Sequence, residues 1–124
     1  MLLRFLVLLA FAVPAGAACV TGTSGVAPTA TLTFVAPTTN TDGTPIATPL
    51  TYTLYQGTTS GGEIQAATGI TGSPITLNTG LADSATYYWY ITVTDAHGTK
   101  SANSNEVCKA FPAGVPGTVT ITVT

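Results

Sequence analysis

Few side chains in this chain can do chemistry. Beyond an N-terminal apolar segment, its thiols, imidazole and charges are confined to Cys19, Cys108, His97, Asp42, Glu63, Asp83, Asp95, Lys100, Glu106 and Lys109. Cys19 and Cys108 flank nearly the whole domain, and an even cysteine count in an exported chain favours a disulfide. Closing the 108 − 19 = 89-residue separation would contribute ~4.5 kcal/mol in the chain-entropy model. Metal ligation would have to recruit His97 from a different region of the chain, so no metal is expected. His97 lies in "DAHG", a hairpin turn in which Gly98 supplies the positive φ, and it reads as a polar turn residue. No second carboxylate lies near Asp95 in sequence, and no serine occupies a Gly-x-Ser-x-Gly elbow. Asp42, Asp83 and Asp95 all fall in turns, where aspartate bonds its own backbone. The expectation is a non-enzyme without catalytic residues or cofactors.

The N-terminal segment "MLLRFLVLLAFAVPAGAAC" has the charged, apolar and small-residue order of a secretory signal. Arg4 is its charge, Phe5 to Val13 its apolar run, and Ala15-Gly16-Ala17 its cleavage site, making residues 1–17 a signal peptide. The run is well short of the ~20 residues that span a bilayer, so cleavage is favoured over a retained anchor. Lipoprotein acylation of Cys19, which would preclude the disulfide, ranks behind because Gly16 stands where a Leu-like residue is usual. The expected location is periplasmic, cell-surface or extracellular. The mature chain is weakly acidic, and two lysines cannot build a basic stripe, which excludes nucleic acid as a partner. Threonine, the commonest residue, supplies solubility without charge repulsion that would oppose self-association.

Between the cysteines the chain reads as strands separated by turn clusters. "TATLTFVAP" puts Leu32 and Phe34 on one face and Thr31, Thr33 and Val35 on the other. A loop with Asp42-Gly43 as its tightest point leads to "LTYTLYQG", where Leu50, Tyr52 and Leu54 face inward. A weak strand around Ile64 to Ala67 follows, then "SPITLNTGL" with Ile75 and Leu77 on one face. In "LADSATYYWYITVTD" the alternation separates an inward row, Tyr87, Trp89, Ile91 and Val93, from an outward one, Tyr88, Tyr90, Thr92 and Thr94. Tyr55 is a cross-strand neighbour for the outward row. "KSANSNEVC" returns as a strand after the "DAHG" turn.

The order and spacing of several motifs resemble the fibronectin type III domain over residues 28–108. Leu81 followed by five residues and Tyr87 resembles that family's tyrosine corner, which implies a Tyr87 hydroxyl bonded to backbone a few residues upstream. Phe34 stands where the family usually has tryptophan, with "AP" after Val35. "YTLYQGTTSGG" resembles the family's YxVYxGTSSG strand, and "SANSNEV" its closing SxxSNxV. The flanking cysteines and Asp83, at a position often taken by proline, depart from the pattern. The resemblance, of bacterial or phage type, implies an all-β, seven-stranded antiparallel β-sandwich over residues 18–110. The family's integrin-binding Arg-Gly-Asp is absent, "DAHG" filling that loop.

Two functions are then in competition. The first is an exported binding or adhesion module that recognises protein or carbohydrate, with Tyr55, Tyr88 and Tyr90 as the candidate ligand surface. The second is a structural subunit of an extracellular filament or phage virion. It rests on residues 111–124, a proline-containing linker followed by "TVTITVT", an extra C-terminal strand in which Val119, Ile121 and Val123 alternate with threonines. Such a strand would add to an edge of its own domain or to a neighbouring subunit's sheet, giving self-association.

Overall fold

The period-two alternation of β-branched, aromatic and aliphatic residues builds seven strands and no helix among the described residues. The computed structural model describes residues 18–124, so the expected signal segment, 1–17, lies outside the described residues. The strands are β1 (Val20–Thr21), β2 (Ala30–Leu32), β3 (Thr51–Gly57), β4 (Ile64–Ile70), β5 (Ile75–Leu77), β6 (Ala85–Thr94) and β7 (Val107–Phe111). They form a five-stranded sheet in the order β1-β7-β6-β3-β4 and a two-stranded sheet of β2 and β5.

The core lies between these sheets. The small sheet contributes Ala30 and Ile75, and the large one Leu54, Tyr87, Trp89 and Phe111. Trp89 and Leu54 are each 1% exposed, and the Trp89 indole N–H donates to Gln56 Oε1 at 2.7 Å. A buried indole would otherwise leave its N–H without a partner, so Gln56 lets the largest side chain enter the core without that cost. Tyr87 packs edge-on against Phe111, and Phe34 lies against Tyr52 with ring centroids 4.6 Å apart.

Several expectations need correction. The large sheet is mixed rather than antiparallel, because β1 runs parallel to β7, pairing Val20 with Lys109 and Thr21 with Ala110. The expected extra C-terminal strand is not formed: residues 112–124 pair with no strand of this molecule. The return strand is displaced toward the C-terminus. Residues 101–105 run beside β6 without a regular ladder, because Ser101 and Ser104 use both backbone and hydroxyl on it. Their N–H groups donate to the Val93 and Ile91 carbonyls, while their hydroxyls accept the N–H groups of Val93 and Ile91. Thr92, expected to face solvent, is 1% exposed, buried on the side where Tyr55 lies beside it. β4 runs on to Ile70 and is exposed along nearly its whole length.

The parallel pairing of β1 and β7 brings Cys19 beside Cys108, and the two are disulfide-bonded with Cα atoms 4.7 Å apart. This link fixes the shortest strand, two residues long, to the sheet. Replacing both cysteines by serine is expected to lower unfolding free energy by up to ~4.5 kcal/mol, read from the guanidinium midpoint and slope. A loss below about 1 kcal/mol would mean that the cross-link scarcely restricts the unfolded chain.

Candidate functional site

The segment entering β6 is fixed by the Tyr87 side chain. Its hydroxyl accepts the Ala82 N–H at 3.0 Å, and Leu81 packs against the core beside it. Ser84, at φ 62°, turns the chain between these residues and β6. After β6, the Asp95 carboxylate accepts the N–H groups of His97 and Thr99 at 2.9 and 2.8 Å, and Gly98 takes φ 83°. His97 is therefore exposed in a tightly bonded turn, with its backbone rather than its imidazole engaged.

On the outer face of the large sheet, the register of β3 on β6 places Tyr55 opposite Tyr90 and Gly57 opposite Tyr88. Tyr55 and Tyr90 stack with ring centroids 4.6 Å apart and planes inclined by 16°. The Lys100 ammonium lies 4.9 Å from the Tyr55 ring centroid and donates to its hydroxyl. That hydrogen bond draws the Tyr55 phenol below its ordinary value, with Thr92 adding to the effect and burial opposing it. Tyr55 and Tyr90 therefore spend ring surface on each other and on Lys100, and all three tyrosines are half-buried. Tyr88 is not stacked on them; it sits two residues along the same face, between Gly57 and Cys108.

The same face carries a carboxylate pair that the sequence did not reveal. Glu106, just before β7, reaches the turn between β3 and β4, where it accepts the Ser60 hydroxyl at 2.7 Å and the Gly61 N–H at 3.0 Å. Glu63 stands beside it, with its own Oε1 buried and without a hydrogen-bond partner. Burial, reinforced by the neighbouring Glu106, raises the Glu63 carboxyl above its ordinary value. The neighbouring Glu63, with the bonds from Ser60 and Gly61, lowers Glu106 despite some burial. Glu63 and Glu106 therefore stand close enough to shift each other's carboxyl in opposite directions. Their geometry is that of a clasp on the turn. At the base of that turn a side chain on Gly57 would meet the Gly62 carbonyl oxygen at 2.9 Å, so the chain can close there only around glycine.

Among the described residues, no three His, Cys, Asp or Glu side chains gather where a metal could be held. A groove of about 350 Å³ lies at one end of the sandwich. Phe34, Tyr52, Ile91 and Val93 line its depth, and residues 33–35 and 101–105 form its sides. None of these side chains is charged.

Residues 112–124 leave the sandwich after Phe111. Ser24 donates to the Ala113 carbonyl at 2.7 Å, and past that point no hydrogen bond joins this segment to the sandwich among the described residues. Val119, Ile121 and Val123 are 87%, 88% and 93% exposed. The structure thus keeps Tyr55, Tyr88 and Tyr90 together on one sheet face and leaves the alternating apolar row of the tail uncovered.

No protein-family model and no curated protein matches this chain. Among solved structures it is similar to an Fn3-like protein from Clostridium thermocellum, at 31% sequence identity and a TM-score of 0.53. The likeness covers 74% of this chain and 90% of that one.

Two predictions follow from this geometry. Tyr87→Phe removes the partner of the Ala82 N–H and is expected to cost about 1 kcal/mol or more in chemical denaturation; an unchanged midpoint would contradict the bond. The carboxylate clasp should depend on pH in a defined direction. A raised Glu63 stabilises the fold below the ordinary glutamate range and loses that contribution as pH rises through its raised value. A lowered Glu106 contributes above that range and loses it as pH falls through its lowered value. The clasp is therefore tightest between the lowered Glu106 value and the raised Glu63 value, and loosens as pH rises past the raised one. Amide exchange at Gly61 should speed up beyond its intrinsic pH dependence as Glu63 loses its proton, and Glu63→Gln should abolish the extra acceleration. The same acceleration in Glu63→Gln would assign it elsewhere.

Proposed function

This chain belongs to the fibronectin type III-like proteins, and we propose that it is a non-catalytic, exported building unit that assembles by presenting residues 117–124 as a strand to a neighbouring subunit. One observation carries the reading: the alternating Val119, Ile121 and Val123 stand 87–93% exposed beyond a finished sandwich. An alternating strand with an uncovered apolar row is suited to completing another sheet, where main-chain bonds give affinity and alternate side chains enter pockets. Burying three such side chains is worth on the order of 5–9 kcal/mol. That is comparable with the ~4–15 kcal/mol cost of association, so assembly should be concentration-dependent rather than irreversible.

The disulfide supports an oxidising compartment, and with the signal pattern at residues 1–17 it favours an extracellular filament over a virion built in the cytoplasm. Recognition of a protein or carbohydrate through Tyr55, Tyr88 and Tyr90 is the weaker reading, because the Tyr55–Tyr90 stack and Lys100 occupy ring surface that a sugar would need. The mature, oxidised protein should sediment as oligomers whose size grows with concentration, and deletion of residues 117–124 should leave a monomer. A monomer for both proteins up to several hundred micromolar would overturn assembly and favour a recognition module.

A further inference from the structure

We infer that the acceptor for this strand is the uncharged groove at the far end of a second copy, so that subunits join head to tail into an open chain. The inference rests on the tail-mediated assembly proposed above and names the surface that receives the tail.

Three observations single out the groove. The first is position. Phe111, where the tail begins, pairs with Ala85 at the start of β6, whereas the groove lies at Ile91 and Val93, with Ser101 and Ser104 bonded to those two residues. Donor and acceptor are therefore separated by six to eight residues of strand, ~20–27 Å. The linker, residues 112–117, reaches at most ~20 Å when fully extended, and to enter its own groove it would also have to reverse direction. Its two prolines and two glycines make a fully taut return strand a poor use of that span. A second copy placed end to end accepts the tail without a reversal.

The second observation is chemical match. The tail from residue 117 to 124 has no charged side chain, and neither has the groove. The half-buried Phe34, Ile91 and Val93 offer apolar or aromatic surface to Val119, Ile121 and Val123, while Asn103 and Asn105 carry amides able both to donate and to accept. The third is the state of the neighbouring backbone. β2 is paired only with β5, so its other side has no strand beside it, and residues 33–35, which follow β2 in the chain, line the groove. A strand laid there would extend the smaller sheet.

Of the two outer strands of the large sheet, β1 is only two residues long, so the competing acceptor is β4. Its pairing with β3 is already irregular between Tyr52 and Tyr55, Gly69 sits at φ 69°, and its exposed Gln65, Ala66, Ala67 and Thr68 provide no pocket for alternate side chains. A donor at one end and an acceptor at the other make the contact heterologous, which propagates instead of closing into a two-fold dimer.

The test uses two full-length variants at exposed positions. Ile121→Asp spoils the donor and keeps the groove; Ala102→Asp puts a charge in the groove and keeps the donor. Asn103→Lys serves as a second groove variant, Ala67→Asp as the β4 control, and thermal midpoints confirm folding of each. Sedimentation velocity should show both Ile121→Asp and Ala102→Asp as monomers, with assembly weakened at least tenfold. Their equimolar mixture should form a dimer and stop there, because each supplies the half the other lacks. Ala67→Asp should assemble like the parent. If Ile121→Asp is monomeric while both groove variants still assemble, the tail reading stands and the groove assignment is overturned. If Ala67→Asp alone blocks assembly, β4 is the acceptor. If Ile121→Asp assembles like the parent, the tail-mediated reading itself fails, and the groove assignment with it. A monomeric protein whose tail is protected from exchange at every concentration would place the strand in its own groove and overturn the head-to-tail chain.

Discussion

The pairing of β3 with β6 is the constraint on which the rest of the structure depends. Seven consecutive registered pairs, from Thr51 with Thr94 to Gly57 with Tyr88, settle which side chains enter the core and which remain outside. They turn Tyr52, Leu54 and Trp89 inward, set Gln56 directly opposite Trp89 to receive its indole, and stack Tyr55 on Tyr90 outside. Because side chains alternate with period two, a one-residue slip would expel Trp89 and bury the tyrosine pair, so burial on one face specifies the register strongly. β7 then takes its place against β6, bringing Phe111 to Tyr87, and the disulfide brings β1 to β7.

How much of this could be read from the sequence varied with the range of the interaction. The inward and outward rows of β6 were legible at Tyr87 through Tyr90, where large aromatics alternate and only one choice of face buries Trp89. Thr92 keeps the outward face that the same rule gives it, yet it is 1% exposed, because the tyrosine beside it on another strand covers it, which no local pattern shows. The two-residue β1 carries no periodicity at all, and its parallel pairing depends on Cys19 being tied to Cys108. Glu63 and Glu106 lie 43 residues apart, and nothing local announces that the β3–β4 turn folds across the sheet to join them. The serines of "SANSN" looked like ordinary strand residues; their hydroxyls replace ladder bonds to β6 and so shift β7 toward Phe111.

The two candidate surfaces differ in how far their chemistry is already satisfied. On the outer sheet face the aromatic rings, Lys100 and Glu106 find partners within the molecule, which makes that face a self-sufficient cover for the large sheet. The tail and the groove are the opposite case. Both are uncharged and uncovered, the tail presenting an apolar row and the groove a mixed polar and apolar lining, and they stand at opposite ends of the same sandwich. The proposed head-to-tail contact joins these two features between neighbouring copies. The low charge of the chain leaves little electrostatic repulsion to keep neighbours apart.

The claim that the tail becomes a strand in a partner is tested most directly by amide hydrogen exchange of residues 118–124 as protein concentration is raised. The account predicts free-peptide exchange in dilute solution and protection of alternate amides, those facing the acceptor strand, as concentration increases, with matching protection at residues 33–35. Exchange of the tail at free-peptide rates at every concentration would contradict it.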